Sequence, residues 1–178
     1  TLTWMRSSEH EREAAMALDQ LTGIEEDDGA IFLTRYRIDP ERYTAMGRSF
    51  TFMVREHMCK ESRSQLGKPV EIRQPVKDPG SKKVRFELRT GTFGEDPVAV
   101  VAECCSRTPE FKNPDLPVKE IISRILLAAG NEPRSVMELY EEALDWVGRA
   151  DGRVINPATI LRLLDSDEYY GFAPAADR

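Results

Sequence analysis

Between Val118 and Leu164 the apolar residues recur three or four positions apart, in three runs separated by Gly130, Gly148 and the Asn156-Pro157 pair. That spacing puts one apolar stripe on each of three short helices, and three such helices must bury those stripes against each other or against a sheet. The first stripe is Ile121, Ile122, Ile125, Leu126 and Ala129. The second helix starts at Ser135, whose spacing to Glu138 is that of a capping box, and buries Val136, Leu139, Tyr140, Ala143, Leu144 and Val147. Asn156 caps the third, with Pro157 at its first position and Ile160, Leu161 and Leu164 facing inward.

Upstream the pattern changes. Ser8 and Glu11 have the capping-box spacing and Gly23 the place of a C-cap, so 8–22 is expected to be an N-terminal helix. Glu25 to Gly29 lacks the alternating oxygens and distant glutamate of an EF-hand and is expected to be a solvated acidic turn. Strands are expected over 30–38, over 49–57 from the alternation of Phe50, Phe52 and Val54, around Val70 and Ile72, and over 84–89. In the last, Val84, Phe86 and Leu88 would form a dry face. The continuous apolar run 98–102 reads as a strand buried on both sides. Asp39-Pro40 starts a short helix, 58–69 reads as a basic loop or ragged helix, and Asp78-Pro79-Gly80-Ser81 is turn chemistry.

Pro109, Pro114 and Pro117 crowd the segment between the two patterns. No helix or central strand tolerates that density. The expected organisation is an α+β sheet domain over 1–105, mainly antiparallel with its N-terminal helix, then a linker over 106–117, a helical module over 118–172 and a tail over 173–178.

Composition narrows the function classes. No apolar run approaches the roughly 20 residues of a membrane span, and the first residues lack a secretion signal's apolar core, so no membrane contact and a cytoplasmic setting (nuclear in a eukaryote) are expected. Beginning at Thr1 fits a piece of a longer chain. Cys59, Cys104 and Cys105 do not suggest a disulfide framework. His57 and Cys59 are too close in sequence for a usual zinc pair, and adjacent cysteines on a strand point apart, so no metal and no cofactor are expected. No phosphate loop, nucleophile elbow or H-E-x-x-H helix occurs, and neither His10 nor His57 has a recognisable catalytic partner, so no catalytic residue is assigned.

Charge is unevenly distributed. Residues 30–90 carry 14 Lys/Arg against 7 Asp/Glu, and residues 118–178 carry 7 against 11. Arg35, Arg37, Arg48, Lys60, Arg63, Lys82, Lys83, Arg85 and Arg89 are the expected nucleic-acid contacts, since phosphate neutralisation supplies sequence-independent affinity. Phe50, Phe52 and Phe86 among them are expected in the core.

The helix order over 118–172 resembles a winged-helix or helix-turn-helix module. The resemblance implies a third helix that reads a partner through Thr159, Arg162 and Asp165. Here the connection 148–156 is longer than that family's tight turn, no strand pair after Leu164 suggests a wing, and the local charge is acidic. Those features turn the expectation toward docking a protein partner or a second copy, through Glu138, Glu141, Glu142, Asp145 and Arg162. The expected function is a non-enzymatic interaction protein, with a basic sheet region on nucleic acid and an acidic helical module on a partner. Two alternatives stand beside it: the C-terminal part of a helicase-like motor whose phosphate loop lies upstream, and a scaffold subunit.

Overall fold

The computed structural model describes residues 30–77, 84–148 and 155–175. The expected N-terminal helix, the acidic turn, the 78–81 turn and the loop 149–154 lie outside them. The α+β class with antiparallel pairing holds: β1 (Arg35–Ile38), α1 (Pro40–Ala45), α2 (Phe50–Glu56), α3 (Lys60–Gln65), β2 (Pro69–Lys77), β3 (Val84–Thr92), α4 (Pro97–Glu103), a 3-10 turn (Cys105–Arg107), α5 (Val118–Ala128), β4 (Arg134–Ser135), α6 (Val136–Val147), α7 (Pro157–Asp165) and β5 (Phe172–Pro174).

Two expected strands are helices, for reasons written in their first residues. Ser49 Oγ accepts the Phe52 N–H, capping α2. The residues that reach the core are Met53, Val54 and Met58, while Phe52 is 65% exposed. Phe50, Met53, Val54, His57 and Met58 are a helical set; Phe52 supplied the false alternation. Likewise Asp96 Oδ1 accepts from Val98 N and Ala99 N, and Pro97 occupies the first position of α4. This is the Asp-Pro start that also opens α1, where Asp39 accepts from Glu41 N. The strand expected over 30–38 is confined to Arg35–Ile38; before it, Leu33 N–H bonds Ala30 O and Thr34 N–H bonds Ile31 O in turns.

β1 is the middle of a three-stranded sheet, ordered β4-β1-β5 and antiparallel throughout. Tyr36 and Ile38 point inward; Arg35 and Arg37 face water. Ile38 also gains a side-chain partner, since Asn131 Oδ1 accepts from Ile38 N at 2.9 Å and Asn131 Nδ2 donates to Ile38 O at 2.8 Å. Asn131 reaches this position by following Gly130 past the end of α5 in left-handed geometry, at φ 60°.

Helix α5 is the hub, with Ile121, Ile122, Ile125, Leu126 and Leu127 fully buried. One apolar core joins Tyr43, Val54 and Val101 to Leu139, Ile160 and Phe172. The expected linker 106–117 therefore does not separate two cores, and Phe111 within it is itself buried. Its prolines prevent regular structure without preventing packing.

The last turn before β5 is organised by a carboxylate. Asp167, whose side chain is fully buried, accepts from the backbone N–H groups of Tyr169 (3.3 Å), Tyr170 (2.9 Å) and Phe172 (3.1 Å), with Lys119 Nζ 3.7 Å away. Gly171 closes the turn at φ +75°, where a Cβ would lie 2.8 Å from the Tyr43 ring. Gly171→Ala is expected to cost about 2 kcal/mol, from left-handed strain and crowding together. Thermal unfolding would check this, and an unchanged melting temperature would refute it.

Candidate functional site

The hairpin of β2 and β3 stands apart from the core. It is a sheet of two strands, paired from Pro69↔Thr92 to Lys77↔Val84. Its base is fixed by Gly67 N–H to Phe93 O and Phe93 N–H to Lys68 O. Every residue of β3 except Gly91 is exposed, including Val84 (51%), Phe86 (67%) and Leu88 (67%). The expected dry face is thus uncovered: no third strand joins the pair among the described residues.

Opposed residues share a face of an antiparallel pair. Val84, Phe86 and Leu88 therefore share one face with Pro75 and Arg73, and Arg85, Glu87 and Arg89 share the other with Val76. Residues 69–92 carry six Lys/Arg against three Asp/Glu, within a chain of formal charge −6.

The other expected cations are distributed elsewhere. Arg35 and Arg37 lie on β1, and Arg35 pairs with Glu138 at 3.5 Å. Arg48 stacks on Tyr169 (3.8 Å to the ring centre) and on Tyr43 (5.0 Å), and donates to Tyr169 O. Arg63 donates to Met58 O at 3.0 Å and to Glu56 O, whereas Lys60 is exposed. Arg85 pairs with Glu87 at 2.6 Å and Arg89 is exposed. Lys82 and Lys83 lie outside the described residues. Of the nine, the described ribbon strands hold Arg85 and Arg89, and they add Arg73 and Lys77.

Of the expected partner contacts, Glu138 is occupied within the fold. Its Oε2 accepts from Ser135 N at 2.7 Å while Ser135 Oγ accepts from Glu138 N, completing the capping box. The Ser135 amide, with Arg35 and Arg134 nearby, holds its carboxyl below the usual range. Glu142 is half-buried, and burial pushes its carboxyl up. Glu141, Asp145 and Arg162 are exposed and make no ion pair among the described residues. Asp165 accepts the Tyr36 hydroxyl at 2.6 Å, so the end of α7 is tied to β1. That bond, with burial the larger cause, raises the Tyr36 hydroxyl above its ordinary range.

One constellation has no simple sequence signal. His57 Nε2 lies 3.0 Å from Glu120 Oε1 and His57 Nδ1 lies 2.9 Å from Met53 O. Arg124 Nε donates to the same Glu120 oxygen at 2.8 Å. Both imidazole nitrogens face acceptors, so both bonds form together only with the doubly protonated ring. Burial alone would raise the Glu120 carboxyl, but the His57 and Arg124 bonds reverse this and hold it at about 2. Burial, and next the nearby Glu120 charge, raise the Tyr170 hydroxyl above its ordinary range. His57, Glu120 and Tyr170 line a cleft of about 380 Å³ with Tyr43, Arg48 and Tyr169. The Tyr43 hydroxyl is buried with no hydrogen-bond partner among the described residues, and is pushed up to about 12 by burial. Glu120 is thus held by His57 and Arg124, while Arg48 in the same cleft is held by the Tyr43 and Tyr169 rings and by Tyr169 O.

The three cysteines converge, although Cys104 and Cys105 were expected to point apart on a strand. Their sulfurs all lie within 4.8 Å of one another. Cys104 ends α4 and Cys105 begins the 3-10 turn, where successive side chains are about 100–120° apart instead of the 180° of a strand. Ser62 hydrogen bonds hold the Cys59 thiol below its usual range, and burial pushes Cys105 up.

No family model, curated protein or solved structure matches the chain. No helix among the described residues is long and apolar enough to cross a membrane.

Proposed function

We propose that this protein is a non-enzymatic nucleic-acid-binding protein whose contact element is the β2–β3 ribbon, and whose helical module docks a partner. The observation that carries this reading is the ribbon's exposure on both faces. A lone two-stranded hairpin is marginal in water, and this one carries apolar side chains beside a cation excess, suited to a surface that is both anionic and stackable. Two-stranded ribbons also fit a nucleic-acid groove.

The test is salt-dependent binding of the whole chain to a labelled duplex and a labelled single strand. With about four phosphates contacted, at a slope of about −0.9 each, affinity falls by roughly two orders of magnitude between about 50 and about 200 mM salt. Replacing Arg73, Arg85 and Arg89 by Ala reduces the logarithmic slope by about 1 per residue. Phe86→Ser leaves folding stability within about 0.5 kcal/mol, as suits an exposed side chain, but weakens single-strand binding by about 1–3 kcal/mol if the ring stacks on a base. Absence of binding at about 50 mM salt would overturn the reading.

For the helical module, the order α5, β4, α6, α7, β5 supports a winged-helix-like reading, with β1 in the place of a wing strand. A cleft of about 550 Å³ beside α7 is lined by Ile31, Leu161 and Arg162. With Glu141 and Asp145 exposed, a partner with complementary basic groups, or a second copy, is the occupant this reading favours. The three free thiols suit a reducing compartment, the cytoplasm or the nucleus.

A further inference from the structure

We propose that Cys59, Cys104, Cys105 and Ser62 form a zinc site, the three sulfurs and the serine oxygen taking the corners of a tetrahedron.

The geometry is close to what the ion requires. Ser62 Oγ lies 3.3 Å from Cys59 Sγ, 3.5 Å from Cys104 Sγ and 3.4 Å from Cys105 Sγ. A tetrahedron with zinc–sulfur bonds of about 2.3 Å and a zinc–oxygen bond of about 2.0 Å has oxygen–sulfur edges of roughly 3.5 Å and sulfur–sulfur edges of roughly 3.8 Å. The oxygen edges already have that length. The sulfur edges, at most 4.8 Å now, need to close by no more than about 1 Å.

The donors are held by separate elements. Cys59 is the N-cap residue of α3 and Ser62 lies in that helix, Cys104 ends α4, and Cys105 opens the 3-10 turn. The Cys59 backbone N–H donates to Cys105 Sγ at 3.3 Å, the kind of support that metal-bound thiolates use. Cys105 and Ser62 are buried, whereas Cys104 is exposed and Cys59 lines an open cleft, so an ion has a route inward.

Three sulfurs exclude hard cations such as calcium and magnesium. Of the thiophilic ions, copper(I) is satisfied by three sulfurs alone, whereas zinc uses the fourth, oxygen corner that Ser62 supplies. Binding transfers the three thiol protons to solvent, leaving three thiolates and a neutral hydroxyl around the ion.

The experiment uses the whole chain, reduced without added thiol, titrated with cobalt(II) and then zinc(II). The expected result is one equivalent of cobalt with the visible bands of a tetrahedral ion and thiolate charge-transfer bands, all abolished by zinc. Bound zinc also protects all three cysteines from alkylation. Cys104→Ser, at an exposed position and checked for folding by circular dichroism, loses charge-transfer intensity and lowers zinc affinity by at least the roughly 10–100-fold that loss of a supporting partner costs. Ser62→Ala moves the cobalt spectrum while retaining the charge-transfer bands. The proposal is overturned if cobalt gives no thiolate bands, if zinc leaves alkylation of all three thiols unchanged, or if copper(I) binds these sulfurs and zinc does not.

Discussion

Asp167→Ala is expected to destabilise the folded chain by about 3–4 kcal/mol, read as a fall in the denaturant midpoint at unchanged slope. The carboxylate is the acceptor for three backbone N–H groups in the turn before β5, and the side chain is fully buried. Alanine leaves those donors without an acceptor at about 1–3 kcal/mol for each that stays buried, and water can relieve only those nearest the surface. Lys119 contributes less, because its ammonium is partly exposed and 3.7 Å from the carboxylate. Lys119→Ala is accordingly expected to cost about 1 kcal/mol or less. Equal effects of the two substitutions would show that the ion pair, and not the amide cage, organises this turn.

Acid weakens the fold through Glu120. Its carboxyl is held at about 2 in the folded chain against an ordinary 4.5. A carboxyl depressed by folding stabilises the native state above its unfolded value, and that stabilisation disappears as pH falls from about 4.5 toward about 2. At neutral pH the contribution is about 3–4 kcal/mol, from the size of the depression at about 1.4 kcal/mol per unit. Its partners are His57 and Arg124. Glu120→Gln removes the titrating group while keeping its shape. The stability gap between the native chain and this variant should be largest near pH 7 and shrink progressively below about 4.5. A gap independent of pH would rule out the ion-pair assignment.

What could be read from the sequence follows from the range of the interaction involved. Helices α5, α6 and α7 are legible because their caps and stripes are local: Ser135 with Glu138, Asn156 with Pro157, and Ile121 to Leu127. The same cap chemistry was available at Ser49 and at Asp96-Pro97, yet an apolar run and the accident of Phe52 outweighed it. Asp96-Pro97 carries the same start signal as Asp39-Pro40, which makes α4 readable as a helix. The His57–Glu120 pair and the convergence of Cys59 on Cys104 and Cys105 were not readable, because they depend on how α2, α3 and α4 meet α5. The ribbon was visible as strands, but its exposure was not: a period-two pattern says which side chains share a face, not whether anything covers it. The nine cations were grouped by sequence, and the fold distributes them over β1, the helices and the ribbon.

The position of β1 has a consequence for synthesis. Its neighbours in the sheet are Arg134–Ser135 and Phe172–Pro174, both made long after Arg35–Ile38 leaves the ribosome. During translation Tyr36 has no sheet partner before Arg134 emerges, and Ile38 has none before Phe172. Pairings so distant in sequence close slowly, since loop entropy is paid before the contacts form. An unfinished chain therefore leaves the Tyr36 and Ile38 face of β1 incompletely paired until residue 172 is added, a strand edge that a chaperone would shield.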